Sequence, residues 1–273
     1  MKDLVIQSIE STVKKYPAVI PLLTGKAALA YCEIKAMRRD ANEPGLEEKT
    51  QKENKIDRIL RRRFTRQEQE AIKWIETNAT SGFMFSGDLL ADDPEASELM
   101  VVFYEAIVAG LLLSQLQTGI SVESGTIELA ALDHSRTYVT AWLKGLDATS
   151  LKAVQGAIST FLNVQGTTMG DVVKLLAPTF GQDRAWRIAV TEVTRAFAES
   201  NNIYARELRA LYPNFTIERR WFTNNDDRVC PICGALDGKI VDERTDWNAS
   251  GLFVTSPPAH VNCRCWIGVT VKA

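Results

Sequence analysis

The chain has 273 residues, 45% hydrophobic and 24% charged, a balance that excludes disordered, collagen-like and mucin-like proteins. A chain of this length buries roughly 75% of the surface its unfolded form exposes, so its bulk stability needs neither disulfides nor metal. Thirty-two basic against 34 acidic residues exclude a surface built throughout to coat nucleic acid, and two histidines, His134 and His260, exclude a multi-histidine catalytic centre.

Residues 1–10 are charged and lack an apolar run with a cleavage site, so synthesis in the cytoplasm is expected. Residues 4–16 and 22–38 read as helices separated by Pro17 and Pro21, with Cys32 as a small buried hydrophobe on the second. After a break at Pro44 and Gly45, residues 55–66 hold six basic residues and one acidic, with Ile56, Ile59, Leu60 and Phe64 on one helical face. The basic face, Lys55, Arg58, Arg61, Arg62, Arg63 and Arg66, is a solvated helix surface or a set of contacts to phosphates or an acidic partner.

Between Lys73 and Arg136 there is no basic residue and there are ten acids, so the near-neutral total hides two regions of opposed charge. Within that stretch, residues 99–113 are apolar apart from Glu105. They fall short of the roughly 20 residues of a membrane span and have no flanking Lys or Arg, which predicts a buried core helix. His134 is expected to be a satisfied structural histidine.

Gly145, Gly156, Gly166 and Gly170 punctuate the following segment, a short helix is predicted over 168–176 with Pro178 as its stop, and a new unit is expected here. Asp183 is a candidate N-cap for a helix reaching Leu211. Trp186, Val190, Val193, Phe197, Tyr204, Leu208 and Leu211 form its core stripe. On the adjoining face Glu192 and Arg195 are three apart and pair, with Thr191, Glu199 and Asn202 close by; surface pairing or bonding to a neighbouring strand is expected there in preference to catalysis. After Pro213 the period becomes two, through Phe215, Ile217, Arg219 and Trp221. Residues 239–241 and 266–271 are similar runs, and Asp237-Gly238 reads as a hairpin turn.

This predicts an α+β chain: a mostly helical N-terminal body, then a long helix and a small antiparallel β module. The expected divisions are a helical segment at 1–80, an acidic helical region at 81–150 and a C-terminal domain at 151–273 ending in the module at 216–273.

Four of the five cysteines lie in that module. Cys230-Pro231-Ile232-Cys233-Gly234 has the form of a zinc knuckle, with Gly234 read as permitting a tight turn whose amides bond to sulfur. Pro257-Pro258-Ala259-His260-Val261-Asn262-Cys263-Arg264-Cys265 adds an imidazole and two thiols. Thiolates with one imidazole favour a structural zinc closed by four protein ligands. Cys230, Cys233 and His260 are three of them, and one of Cys263 and Cys265 is spare; a disulfide or a redox pair is the alternative use of these cysteines. Structural support is expected from Trp221, packed on the face of Val193 and Phe197, and from Asp226 or Asp227, capping the turn into Cys230.

These residues also carry a resemblance. Ile188-Ala189-Val190-Thr191-Glu192, Asn201-Asn202, Trp221-Phe222-Thr223, the run from Asp226 to Cys233 and the closing Pro-Pro-x-His-x-x-Cys-Arg-Cys-Trp resemble the phage Mu F-like minor head protein family, over about residues 151–271. The resemblance implies a minor capsid component of a tailed bacteriophage or prophage, made in few copies and docked at the portal vertex, that supports head assembly and DNA packaging or delivery. Its implied partners are the portal protein, the major capsid or scaffolding protein and packaged DNA, with no membrane and no small-molecule substrate. Its implied location is the virion, and the bacterial cytoplasm during assembly. It does not extend over the first 150 residues.

Two other readings compete. One is a zinc-containing nucleic-acid-binding protein using residues 55–66. The other is a metal-dependent nuclease using Asp226, Asp227 and His260. No GxSxG, P-loop or dinucleotide fingerprint is present, since Thr24-Gly25-Lys26-Ala27 lacks the upstream glycine and the following Ser or Thr. A structural protein without a catalytic set is therefore expected.

Overall fold

Apolar residues at helical spacing account for most of the elements in the computed structural model, which is described over residues 44–78, 93–224, 229–249, 251–261 and 263–272. The elements are α1 (Leu46–Asn78), α2 (Ala96–Thr118), α3 (Ser124–Asn163), α4 (Met169–Phe180), α5 (Gln182–Leu211), β1 (Thr216–Phe222), α6 (Pro231–Leu236), β2 (Ile240–Asp242), β3 (Trp247–Ala249), β4 (Leu252–Val254) and β5 (Trp266–Lys272). Helices followed by a small antiparallel sheet give the expected α+β class. The helices read at 4–16 and 22–38, with Cys32, lie outside the described residues.

The chain divides into two compact units, one comprising Met1–Gln51, Tyr104–Asp133 and Val190–Ala273, the other Lys52–Phe103 and His134–Ala189. In the second, the stripe read on the basic helix is buried: Ile56, Ile59, Leu60 and Phe64 are at most 4% exposed. Its basic residues find the acids of the following stretch. Arg63 is fully buried and pairs with Asp93 at 2.9 Å and Asp147 at 2.8 Å, Arg66 meets Glu95 at 2.9 Å, and Arg62 meets Glu98 at 2.8 Å. Arg61 pairs within its own helix with Asp57. Lys55 and Arg58 lie on the exposed face. Aromatic contacts complete the packing: Phe64 meets Phe180 edge-on, and Phe103 contacts Tyr138 and Trp142. His134 stacks on Tyr138 with ring centroids 5.6 Å apart.

The glycine punctuation resolves differently from its reading. Gly145 and Gly156 lie inside α3, which runs unbroken for 40 residues. A glycine there costs about 1 kcal/mol relative to alanine, too little to break a helix that buries Val139, Leu143, Val154 and Ala157. Gly166, with φ of 87°, does lie in the connection that follows. Thr168 then starts α4 with a capping box: its hydroxyl accepts from the Asp171 amide, and the Asp171 carboxylate accepts from the Thr168 amide. Pro178 does not stop this helix, which continues to Phe180. In the last turn the missing N–H forfeits a single hydrogen bond, so the penalty stays local.

In the first unit α5 packs on α2. The Ser114 hydroxyl donates to Asn201 Oδ1 at 3.1 Å, Tyr204 donates to the Ile120 carbonyl at 2.8 Å, and Tyr204 and Thr118 share a short hydroxyl contact. Burial pushes the Tyr204 phenol up to about 12. At Gly110 a Cβ would lie 2.1 Å from Ser200 Oγ, so glycine permits the close approach of the two helices. Of the stripe read on α5, Val190, Val193, Phe197, Tyr204 and Leu208 are buried, while Trp186 and Leu211, towards its ends, are exposed. The helix begins at Gln182, so Asp183 falls in its first turn, where a carboxylate complements the dipole.

The sheet has the order β2-β1-β5 and is antiparallel, with Arg220 opposite Ile240 and Trp221 opposite Ile267. Ile217, Arg219 and Trp221 face inward, as the alternation predicts. Asp237-Gly238 is not a two-residue hairpin. The knuckle folds as α6 between β1 and β2, Asp237 caps that helix, and Gly238 takes the positive φ of 74° that returns the chain to Trp221. A second hairpin, β3 with β4, carries Trp247 inward.

Candidate metal centre

The knuckle turn is built by the sequence around Cys230. Pro231 at the first helical position has no N–H to satisfy, and the Cys230 sulfur accepts the Cys233 amide at 3.4 Å as the helix N-cap. Gly234 is helical, and a Cβ there would meet only Val229 Cγ1 at 3.8 Å; the turn does not need its conformational freedom, and Gly238 is the position with positive φ.

His260 enters from the other side. Its Nδ1 lies 2.8 Å from the Val261 carbonyl, which can only accept, so Nδ1 carries the proton and Nε2 presents its lone pair. Nε2 sits 3.0 Å from Cys230 Sγ and 3.2 Å from Cys233 Sγ, and Cys233 Sγ sits 3.8 Å from Cys263 Sγ. The donors form two close triads that share Cys233: Cys230 with Cys233 and His260, and Cys233 with Cys263 and Cys265, each within 4.8 Å. They lie close enough to bind a metal. All four cysteines are free thiols, and Cys233, Cys263 and Cys265 are buried.

The titratable groups of the cluster are tightly coupled. Hydrogen bonds with Cys233 and then Cys265 hold the Cys263 thiol far below its ordinary range, while the reciprocal bonds with Cys263 and Cys265 push Cys233 far up. Burial is the largest single influence and opposes charge on Cys230, but the hydrogen bonds from Cys233 and Ile232 and the His260 charge together outweigh it and lower the thiol. Burial likewise opposes charge on His260, and the Val261 carbonyl with the Cys263 and Cys230 sulfurs raises it. One thiolate is thus favoured at its neighbours' expense, and a cation, if bound, would let several ionise together.

Around the donors lies a small aromatic core. Trp221 is fully buried and meets Trp247 edge-on at 5.4 Å, within a cluster that includes Cys233, Leu236, Cys263, Cys265 and Ile267. Asp226 and Asp227 lie outside the described residues. The carboxylate that supports the knuckle among the described residues is Asp237, which accepts from the Thr223 amide at 2.8 Å. Glu192 and Arg195 make the pair read from their spacing, at 3.1 Å with Glu192 buried.

Two supporting residues carried no functional reading in the sequence. Thr194 on α5 donates its hydroxyl to the Cys263 carbonyl at 2.9 Å, tying the donor loop to the helix. Arg219, 3% exposed, donates to Asn202 Oδ1 at 2.7 Å and to the Thr245 and Thr255 carbonyls, with its guanidinium over the Trp247 ring at 4.6 Å. Burial lowers its pKa, against nearby carboxylates that raise it. Its signal was a charge at an inward position of a strand, between Ile217 and Trp221. Thr194 sits unmarked between two stripe residues.

The basic residues read as contacts are not brought to this centre. They lie on α1, where Arg61, Arg62, Arg63 and Arg66 are ion-paired as described.

No curated protein and no solved structure matches the chain. A family model does match: residues 152–267 fit that of Phage Mu protein F like protein, which supports a phage head morphogenesis protein at that coarse level. The match begins within α3 and runs into β5, spanning Cys230, Cys233, His260, Cys263 and Cys265. Over residues 152–267 the chain is thus similar to Phage Mu protein F like protein.

Proposed function

We propose that the protein is a minor structural component of a tailed-phage head, docked at the portal vertex, whose sheet is held by one zinc ion. The observation that carries this is the coincidence of the family match with a Cys/His donor cluster inside it. Thiolates and one imidazole suit zinc over harder cations, and four protein ligands would leave no coordination position for a substrate. When bound, zinc supplies a cross-link between α6 and the segment entering β5, and its binding free energy becomes folding free energy. The chain's own residues pass that constraint on: Thr194 fixes the Cys263 loop to α5, and Arg219 fixes β1 to Asn202 on the same helix.

The protein works by docking and not by catalysis. A nuclease would need an open metal position, which a four-ligand site denies it. A phosphate-binding role for α1 is weakened by its ion pairs, which use Arg61, Arg62, Arg63 and Arg66 within the protein and leave Lys55 and Arg58 on the outer face. The portal is the proposed partner, with the capsid or scaffolding protein and packaged DNA as neighbours. Co-purification of the tagged protein with its portal neighbour at low and high salt, with purified heads from a deletion strain, tests this. Association that persists in assembled heads, and defective heads on deletion, are expected. Absence from heads, with normal DNA-filled heads on deletion, would end the reading.

A further inference from the structure

The cluster holds one more donor than a tetrahedral ion takes. Resting on the zinc reading above, we infer that Cys263 completes the ligand set with Cys230, Cys233 and His260, while Cys265 is a thiol of the aromatic core that binds no metal.

Two turns of equal spacing deliver the four donors. Cys230 and Cys233 are three apart on one, closed by the Cys233 amide on the Cys230 sulfur at 3.4 Å; His260 and Cys263 are three apart on the other, closed by the Cys263 amide on the His260 carbonyl at 3.2 Å. Cys263 Sγ and Cys233 Sγ are 3.8 Å apart. That matches the edge of about 3.8 Å that a tetrahedron has when its metal–sulfur bonds are about 2.3 Å. The Cys263 backbone is also held in place, its carbonyl taken by Thr194 at 2.9 Å, as a ligand's supporting partners should hold it.

Cys265 belongs to a different line of side chains. It lies two residues before Ile267 and four before Val269, both buried on the inner face of β5, and strand alternation places it in the same row. Trp221 is opposite Ile267, so Cys265 is its diagonal neighbour across the β1–β5 pair. The buried Trp221 indole N–H has no hydrogen-bond partner among the described residues, and Trp221 and Cys265 belong to one buried cluster. A polarizable sulfur beside an indole fills that space as a small hydrophobe would.

The test is cobalt(II) titration of the full-length protein after metal removal under reducing conditions, with Cys263→Ala and Cys265→Ala alongside. Cobalt reports the number of bound thiolates through its charge-transfer absorption. Wild type and Cys265→Ala are expected to take up one ion with the same intensity. Cys263→Ala should lose about one third of that intensity, two thiolates remaining of three. It should also bind at least about tenfold more weakly, the least that loss of a mere supporting partner produces. Loss of intensity in Cys265→Ala, retention in Cys263→Ala, or two ions per wild-type chain each overturns the assignment. If Cys263→Ala fails to fold, Cys265→Ala decides alone: an unchanged spectrum supports the assignment and a reduced one overturns it. A wild-type chain that binds neither cobalt nor zinc defeats the zinc reading itself, and the assignment with it, a result distinct from any difference between the variants.

Discussion

The unit of Lys52–Phe103 and His134–Ala189 and the sheet region of the other unit solve the same problem, holding charged groups inside a fold, by opposite means. In the first, Arg63 is fully buried between Asp93 and Asp147, and long helices surround it with apolar side chains. The buried guanidinium there has two carboxylate counter-charges. In the sheet region three strands are only three residues long, and four sulfurs with one imidazole crowd together. On the zinc reading, the buried charge of the helical region is met by side chains, whereas the sheet region would be completed by an ion.

Metal removal should therefore separate the two most sharply. Chelation under reducing conditions, or Cys233→Ala, is expected to unfold the sheet region while the α1–α4 helices persist. Hydrogen exchange resolved by segment checks this: protection of β1, β5 and α6 should collapse and that of α1 and α3 should remain. Uniform loss across the chain would show that the two regions do not differ as argued.

The reverse experiment removes the protein's own cation. Arg63→Ala strands two carboxylates, a change that typically costs about 3–5 kcal/mol when the pair is buried. Thermal unfolding should show that destabilisation while zinc content stays at the wild-type level. A loss of zinc on this substitution would couple the two regions in a way the comparison does not anticipate.

How much of this was legible in the sequence follows from the range of each interaction. The stripes on α1 and α5 and the inward face of β1 are set by neighbours three, four or two residues away, and they were readable. So was the donor set, because C-x-x-C and H-x-x-C each fit on a single turn. The partners of Arg63 lie 30 and 84 residues from it, and composition shows only that acids and bases are segregated, not that they meet. Asp237-Gly238 misled for a related reason: the dipeptide suits a hairpin, but the local order of Cys230 to Leu236 as α6 turns it into a helix terminus. Gly145 and Gly156 misled because a breaker's effect depends on the helix around it, and α3 is long enough to absorb both.

Within the unit that holds the Cys/His cluster, packing of α2 on α5 should be sensitive to single atoms while remaining independent of metal. Gly110→Ala would place a methyl 2.1 Å from Ser200 Oγ. Overpacking of this kind costs about 1–3 kcal/mol, and Ser200 donates to the Phe197 carbonyl at 2.6 Å, so turning it aside also loses a bond. Chemical denaturation should register the loss in holo and chelated protein alike. The double variant Gly110→Ala with Ser200→Gly should recover most of it, since the clash and its partner are removed together.

The smallest effect belongs to the start of α4, and it gives the helical unit a pH signature of its own. Hydrogen bonds from the Thr168 hydroxyl, the Thr168 amide and Lys174 lower the Asp171 carboxyl from 3.8 to about 2. A carboxyl whose pKa is lower in the folded state favours folding when ionised. Its contribution is complete above about pH 4 and disappears as pH falls through about 2. Asp171→Asn should therefore narrow its difference from wild type as pH drops over that window, and show its full deficit near neutrality. Thr168→Ala removes the reciprocal cap at a cost of about 1 kcal/mol and should flatten the same acid dependence. Because Asp171 is solvent-exposed, salt should weaken the part that comes from Lys174 and leave the part from the Thr168 bonds. Measuring both variants at low and high salt therefore separates the cap from the ion pair.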